Sequence, residues 1–432
     1  MPRTTRRFRR TPRLLKPFLR PAAWRVLPRE LSARNVGHLA RALPGGLADP
    51  GFEVLLRRID QAPLFAGQRV ELYVDGERAF EAMRRAVDSA ATEVLLEAYI
   101  LKDDGTGRSI AESLAAAAAR GVAVRVLADA FGSSATREAF WDSLRARGVD
   151  VRLFHPIFPA LWYQPFRDHR KILVVDRRVA FTGGMNIGDE YGSSRRETRP
   201  DARGWRDTHA RLEGSAAWEL AVVFSEGWDR AGGSRFDLPP MPFDEDSRPA
   251  GTRVLVLDSS PGRGHAESAS ALAAIVAAAR ERVFLTNAYF APRRDALDVF
   301  GDAAARGVDV RILLPGISDV PLVRHAGHGF FRGLLARGVR LFEYRPSVLH
   351  AKTVVADGRV SVVGSSNMDF RSFHFNAECN LILLDEAVGA AFERQFHVDL
   401  ALSDEITEPG WSRRGWPHRA GDALARRLSP LL

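Results

Sequence analysis

The chain is predicted to be an α/β protein built from one unit used twice, its two halves related by a pseudo-twofold axis around a shared site. Three observations predict this. One eighteen-residue pattern, H-x-K-x4-D-x6-G-[GS]-x-N, occurs at 169–186 and again at 350–367 with identical spacing. A helical pattern stopped by Gly and followed by an apolar strand pattern recurs at Gly121, Gly148, Gly307 and Gly338, the αβ step of an α/β sheet. The order of these segments in the first half is repeated in the second, as a long-period internal repeat requires.

Taken in order, 70–76 reads as the start of a hairpin, and 79–90 is helical in pattern. Residues 93–100 form a strand pattern, 109–120 an Ala-rich helix ended by Gly121, and 122–128 a strand. A helix over 136–147 ends at Gly148 before a strand over 149–154. In the second half, 282–289 matches the strand at 93, the segment around Arg306 and Gly307 matches Arg120 and Gly121, and that around Arg337 and Gly338 matches Arg147 and Gly148. The expected divisions are a basic tail (1–36), a lead-in (37–66), a first repeat (67–235), a Pro/Gly/Asp-rich linker (236–251), a second repeat (252–400) and an amphipathic C-terminal tail (401–432).

Within each motif, His and Lys are two apart, so on a strand they face one side. Apolar and β-branched residues follow, suited to a buried strand. If Arg177-Arg178 and Gly358-Arg359 are two-residue hairpin turns, Lys171 pairs with Gly184 and His169 with Asn186. In the second copy Lys352 then pairs with Ser365, and His350 with Asn367. Each hairpin would present an imidazole, an ammonium and an amide beside a small residue that leaves room for a ligand. Asp176 and Asp357 fall on the other face or in the turn and read as structural rather than as catalytic acids.

Two imidazoles, two ammonium groups and two amides around one anion suit a phosphodiester. In-line displacement needs a nucleophile on one side and a proton donor on the other, and two His supply both. Lys171, Lys352, Asn186 and Asn367 would stabilise the developing charge. Each imidazole needs an orienting partner. Asp207 and Glu378 stand at matching places on downstream strand-like segments.

These motifs resemble the HKD signature of the phospholipase D superfamily, carried by His169, Lys171 and Asp176 and by His350, Lys352 and Asp357. The flanks 205–214 and 364–372 resemble bacterial cardiolipin synthases, in the shorter form without transmembrane helices, and the likeness runs from about 67 to 400. The resemblance implies a covalent phosphohistidine, no metal or other cofactor, and one active site between two halves. It also implies phosphatidyl transfer to phosphatidylglycerol, with phosphatidylglycerol or phosphatidylethanolamine as donor, His169 as nucleophile and His350 as general acid. A hydrolase using water as acceptor, a nuclease of the same superfamily and a non-catalytic membrane-binding protein are the alternatives. A nuclease calls for a basic groove in the body.

Charge argues against that groove. The chain carries a formal +9, yet residues 1–36 hold eleven Lys/Arg against the single acid Glu30, which leaves the rest near −1. A nucleic-acid partner is therefore not expected; the tail, with Phe8, Leu14, Phe18 and Trp24 among its cations, suits an anionic membrane surface or a solvated arm. Arg6-Arg7 is followed by no continuous apolar segment, so no secretory signal is read. No apolar run is long enough to span a bilayer. The expected location is peripheral, on the cytoplasmic face of the cell membrane. The one cysteine, Cys379, excludes an internal disulfide and reads as a small buried hydrophobe.

Two stretches look like insertions: the aromatic, Pro-rich 155–166, and 319–333 with His325 and His328. These two His are not read as metal ligands, since no Cys partner or H-E-x-x-H accompanies them. In the C-terminal tail, Trp416, Ala420, Leu424 and Leu428 recur at helical spacing, which fits a helix on a monolayer or one docked on the body.

Overall fold

The computed structural model describes residues 41–60, 62–155, 166–192, 204–234, 236, 238, 251–260, 267–292, 294–415, 421, 422 and 425. The basic tail, nearly all of the 155–166 loop, most of the linker and Trp416, Ala420, Leu424 and Leu428 lie outside these residues.

One continuous sheet of fifteen strands runs through the molecule. The first half supplies β1 (Leu64–Tyr73), β2 (Glu93–Ala98), β3 (Ala123–Asp129), β4 (Asp150–Phe154), β5 (Lys171–Val175), β6 (Val179–Gly183) and β7 (His209–Glu213). The second supplies β8 (Thr252–Ser259), β9 (Arg282–Asn287), β10 (Asp309–Pro315), β11 (Arg340–Tyr344), β12 (Lys352–Ala356), β13 (Val360–Gly364) and β14 (Glu378–Leu384), with β15 (Ser403–Ile406) added at the edge. From the central β1–β8 pair the order outward is β7-β6-β5-β2-β3-β4 on one side and β14-β13-β12-β9-β10-β11 on the other. The two halves are thus copies, as the repeat predicts.

Helices cover both faces, so central strands such as β5 and β14 are buried along their whole length. The helices Ala216–Arg230 and Glu386–Leu400 follow β7 and β14 at equivalent places. Phe224 and Trp228 of one and Phe392 and Phe396 of the other belong to a single core that both halves share. All four predicted Gly stops hold: Gly121, Gly148, Gly307 and Gly338 have φ of +89°, +86°, +90° and +83°, a conformation only Gly adopts without strain. Cys379 is buried among apolar side chains. No helix among the described residues is long and apolar enough to cross a membrane.

Several expectations are corrected. Residues 70–76 do not open a hairpin: β1 runs into the helix Gly76–Asp88, and the Asp75 carboxylate caps it by accepting from Glu77 N (2.9 Å). The stretch 319–333 is no insertion. The helix Pro321–Leu335 connects β10 to β11 as the shorter Glu138–Ala146 connects β3 to β4. In the C-terminal tail, Ala425 is buried with Val323 and Ala326 of that helix, which fits docking on the body.

The motif hairpins are also one residue out of the expected register. Val175 pairs with Val179 and Ala356 with Val360, so each turn holds three residues, beginning at the motif Asp. The reason is conformational. Asp176 and Arg177 (φ +51° and +54°), like Asp357 and Gly358 (+51° and +64°), are the two left-handed residues of the turn. There each carboxylate reaches the start of a neighbouring strand. Asp176 accepts from the backbone N–H of Ala91, Thr92 and Glu93, and Asp357 from those of Arg280, Glu281 and Arg282, at 2.8–2.9 Å. Asp176→Ala and Asp357→Ala are each expected to cost about 2–4 kcal/mol of stability, because charge-assisted hydrogen bonds are lost together. Thermal denaturation beside kcat should show the loss in Tm; a large fall in kcat of the still-folded variant would instead put the carboxylate in the chemistry.

Candidate active site

β5 and β12 begin at the motif lysines, and each motif His lies just before its strand. Both segments are pinned by the opposite half. His169 N donates to Ala377 O (2.9 Å) and His350 N to Arg206 O (2.7 Å), short parallel bridges that cross between the halves. Arg170, between His169 and Lys171, points the other way and bonds Glu97 (3.1 Å) and Asp258 of the second half (2.6 Å).

The crossing decides which acid meets which imidazole. Glu378, from the second half, accepts from Nδ1 of His169 (3.0 Å). Asp207, from the first half, accepts from Nδ1 of His350 (2.7 Å). The acids are structural equivalents, since Gly183 pairs with His209 and Gly364 with Asn380, two residues beyond each acid. Lys171 Nζ donates to His169 O (2.7 Å), while Lys352 Nζ stands 2.8 and 3.1 Å from the ring nitrogens of His350. His169, Lys171, His350, Lys352, Asp207 and Glu378 are all buried.

The remaining candidates are placed differently from the expectation. A Cβ on Gly184 would fall 2.1 Å from Asp207 Oδ1, so the room it leaves is taken by that carboxylate. Ser365, at the matching place, donates to Glu378. These two residues shape the acids. Asn186 does not reach back to His169 as the two-residue turn required. Its Nδ2 donates to the Tyr191 hydroxyl (2.9 Å), which lies 3.2 Å from Nδ1 of His350. The side-chain oxygens of Asn186 and Asn367 are buried and make no hydrogen bond.

Four aromatic residues complete the cluster and were not singled out from sequence. The Tyr99 ring meets His169 edge-on at 4.8 Å, and Tyr289 meets His350 at 5.7 Å. Tyr191 and Trp205 each stand 5.6 Å from His350. The two tyrosines Tyr99 and Tyr289 occupy matching positions after β2 and β9; an Ala-Tyr pair at the end of each repeated strand was the signal that could have found them.

Burial controls the charges. It lowers His169 to about 4 despite Glu378 beside it, so this imidazole is neutral at pH 7. It lowers His350 as well, helped by Lys352 and opposed by Asp207. Lys171 falls to about 7 and Lys352 to about 8, again chiefly by burial. Glu378 and Asp207 are also penalised by burial, but the neighbouring His and Lys outweigh it and hold both below the usual carboxylate range. A sign follows for the pH profile. kcat/KM should rise as pH climbs through about 4, where His169 becomes neutral, and fall as pH climbs first past the lowered His350, the assigned acid, and then past about 7–8, where the lysines lose their protons. Initial rates over pH 4–9 would check this; activity still climbing at pH 9 contradicts it.

A duplicated α/β unit with one His–Lys–acid set per half, the acids exchanged between halves, defines a phospholipase D-type phosphatidyltransferase. The chain belongs to the phospholipase D-like cardiolipin synthase family. The family model described as "Cardiolipin synthase, PLD-like domain" matches residues 83–199 and 272–400, more than half of the chain. It is 33% identical over 370 residues to a cardiolipin synthase of Clostridium perfringens (strain SM101 / Type A), covering 84% of this chain and 77% of that protein. It is 34% identical over 414 residues to cardiolipin synthase A of Pseudomonas fluorescens (strain SBW25), covering 95% and 82%. Among solved structures, the phosphatidylserine synthase of Haemophilus influenzae Rd KW20 superposes with a TM-score of 0.67 at 12% identity, over 88% of this chain and all of that one, a likeness of fold.

Proposed function

We propose that this enzyme makes cardiolipin-type lipids by ping-pong phosphatidyl transfer, with phosphatidylglycerol as acceptor and phosphatidylglycerol or phosphatidylethanolamine as donor. The observation that carries the reading is the exchange of acids: each motif imidazole commits Nδ1 to a buried carboxylate of the other half, which turns Nε2 of His169, and Nε2 of His350 beside the Lys352 ammonium (3.1 Å), toward the reaction. Neutral His169 attacks phosphorus through Nε2, the bond to the headgroup oxygen breaks, and His350 gives that oxygen its proton. A bound phosphodiester anion favours the protonated His350 that this step needs. The second lipid's hydroxyl then attacks the phosphohistidine, His350 takes its proton, and the P–N bond breaks. Lys171, Lys352, Asn186 and Asn367 are the donors assigned to the phosphoryl oxygens.

Incubation with vesicles of phosphatidylglycerol, with and without phosphatidylethanolamine, and mass analysis of the products tests this directly. Cardiolipin with release of glycerol or ethanolamine is expected. Phosphatidic acid as the sole product would make the enzyme a hydrolase, and no lipid turnover at all would end the proposal.

Two features support membrane contact beside the basic tail read from sequence. The turn after β3 exposes Phe131, and the equivalent segment after β10 exposes Ile317, Val320 and Leu322. Gly132 packs on Tyr99 and Asp319 accepts from the Tyr289 hydroxyl (2.6 Å), so both apolar segments flank the catalytic cluster. Apolar rims on both sides would seat the cleft on a monolayer. Replacing Phe131 and Leu322 by Ser is expected to lower vesicle co-sedimentation by about 3–10-fold, and removing 1–36 should abolish its salt dependence. Unchanged sedimentation of both variants would rule these surfaces out.

A further inference from the structure

We propose that His325, His328 and Asp422 form a site for one divalent transition-metal ion of the zinc type, which ties the C-terminal segment to the helix Pro321–Leu335. His325 and His328 are three residues apart and so share a helix face. Asp422 Oδ1 stands 3.0 Å from His325 Nδ1 and 3.4 Å from His328 Nδ1, and one donor atom from each of the three residues lies within 4.8 Å of the others. Donors about 2.0–2.2 Å from one tetrahedral zinc-type ion stand about 3.3–3.6 Å apart, close to the 3.0 and 3.4 Å from Asp422 Oδ1 to the two rings.

His328 supplies an independent observation. Its ring is buried, and neither ring nitrogen makes a hydrogen bond. A buried imidazole left this way is costly unless something else takes up its lone pair. The other nitrogen, Nε2, faces Glu343 Oε1 at 3.4 Å, the carboxylate-behind-imidazole arrangement that orients metal-binding histidines. Arg324 holds Glu343 in place (2.7 Å), and Arg414 holds the second oxygen of Asp422 (2.7 Å), so Oδ1 is the one presented to the two rings. Trp411 and Phe331 cover His328 at 5.1 Å each. Three protein donors leave a fourth position for water. An ion there would fix Ala425 on Val323 and Ala326, beside Ala291 and Tyr289, and so brace the wall on which Tyr289 meets His350.

The full chain, stripped with a chelator and desalted, is titrated with Co2+ as the probe. One equivalent with the strong visible absorption of four-coordinate cobalt is expected, displaced by Zn2+. His325→Ala, whose side chain is partly exposed and whose loss should not unfold the protein, and Asp422→Asn should each weaken Co2+ binding at least ten-fold and remove the absorption. His169→Ala should leave both intact. Weak, substoichiometric binding that neither variant changes means an adventitious ion only and overturns the proposal. So does absorption that vanishes with His169→Ala, because the ion would then sit in the catalytic cluster.

Discussion

Replacing His169 by Ala is expected to abolish cardiolipin formation and any covalent phosphoenzyme, since no other nucleophile is assigned to phosphorus. His350→Ala should also stop net synthesis, by about 10²–10⁴-fold, the range a missing general acid costs. The two variants separate in single turnover. With the nucleophile intact, His350→Ala can accumulate the phosphohistidine from a donor with a good leaving group, where protonation matters least. Phosphorus from the lipid that stays on the protein in base and is lost in acid, as a P–N bond requires, would be read by mass analysis of the intact chain. If His169→Ala is the variant that traps the adduct, the roles of the two imidazoles are reversed. Near-equal environments make this comparison necessary: burial lowers both rings and each meets one carboxylate. Both lysines donate to the backbone oxygen of their own His; what separates the two sites is that Lys352 also stands within 3.1 Å of both ring nitrogens of His350.

Glu378→Gln and Asp207→Asn carry the next largest expected effect. Each amide keeps the shape of the carboxylate but withdraws the charge that holds its imidazole's tautomer and favours the imidazolium. A loss of about 10²–10⁴-fold in kcat is expected, with Tm changed by no more than about 4 °C. A second reading distinguishes orientation from packing. The Glu378 charge raises Lys171, so Glu378→Gln should let Lys171 fall below about 7 and move the alkaline limb of kcat/KM to lower pH. An unchanged limb, with activity lost only in proportion to folded protein, would mean that the acid merely packs.

How much of this was legible follows from the kind of signal each residue leaves. The duplicated motif gave away His169, Lys171, His350 and Lys352, because their spacing on a strand is local and occurs twice. Asp207 and Glu378 were legible through the same repetition, as matching acids on matching strands. The register was not. Whether Asp176 opens the turn or closes the strand depends on a left-handed conformation stabilised by amides 83–85 residues away in sequence. That one-residue difference moved Asn186 away from His169, toward Tyr191 and His350. It also gave the space at Gly184 to Asp207 instead of a ligand.

The sequence by itself determined that this protein is a doubled α/β unit, where four of its helices stop, and which His, Lys and acid side chains meet at the candidate site. Those properties rest on local spacing, on apolar period and on a motif written twice. Only the tertiary structure decided that each half's acid serves the other half's imidazole, that Tyr99, Tyr191, Trp205 and Tyr289 line the cluster, and that Asp422 meets His325 and His328. The physical reason is common to all three. They depend on contacts between segments far apart in the chain, set by how the two halves of the sheet join through β1 and β8 and cross again at Ala377 and Arg206. No local periodicity records such a crossing, and burial then sets which of the groups it brings together are charged.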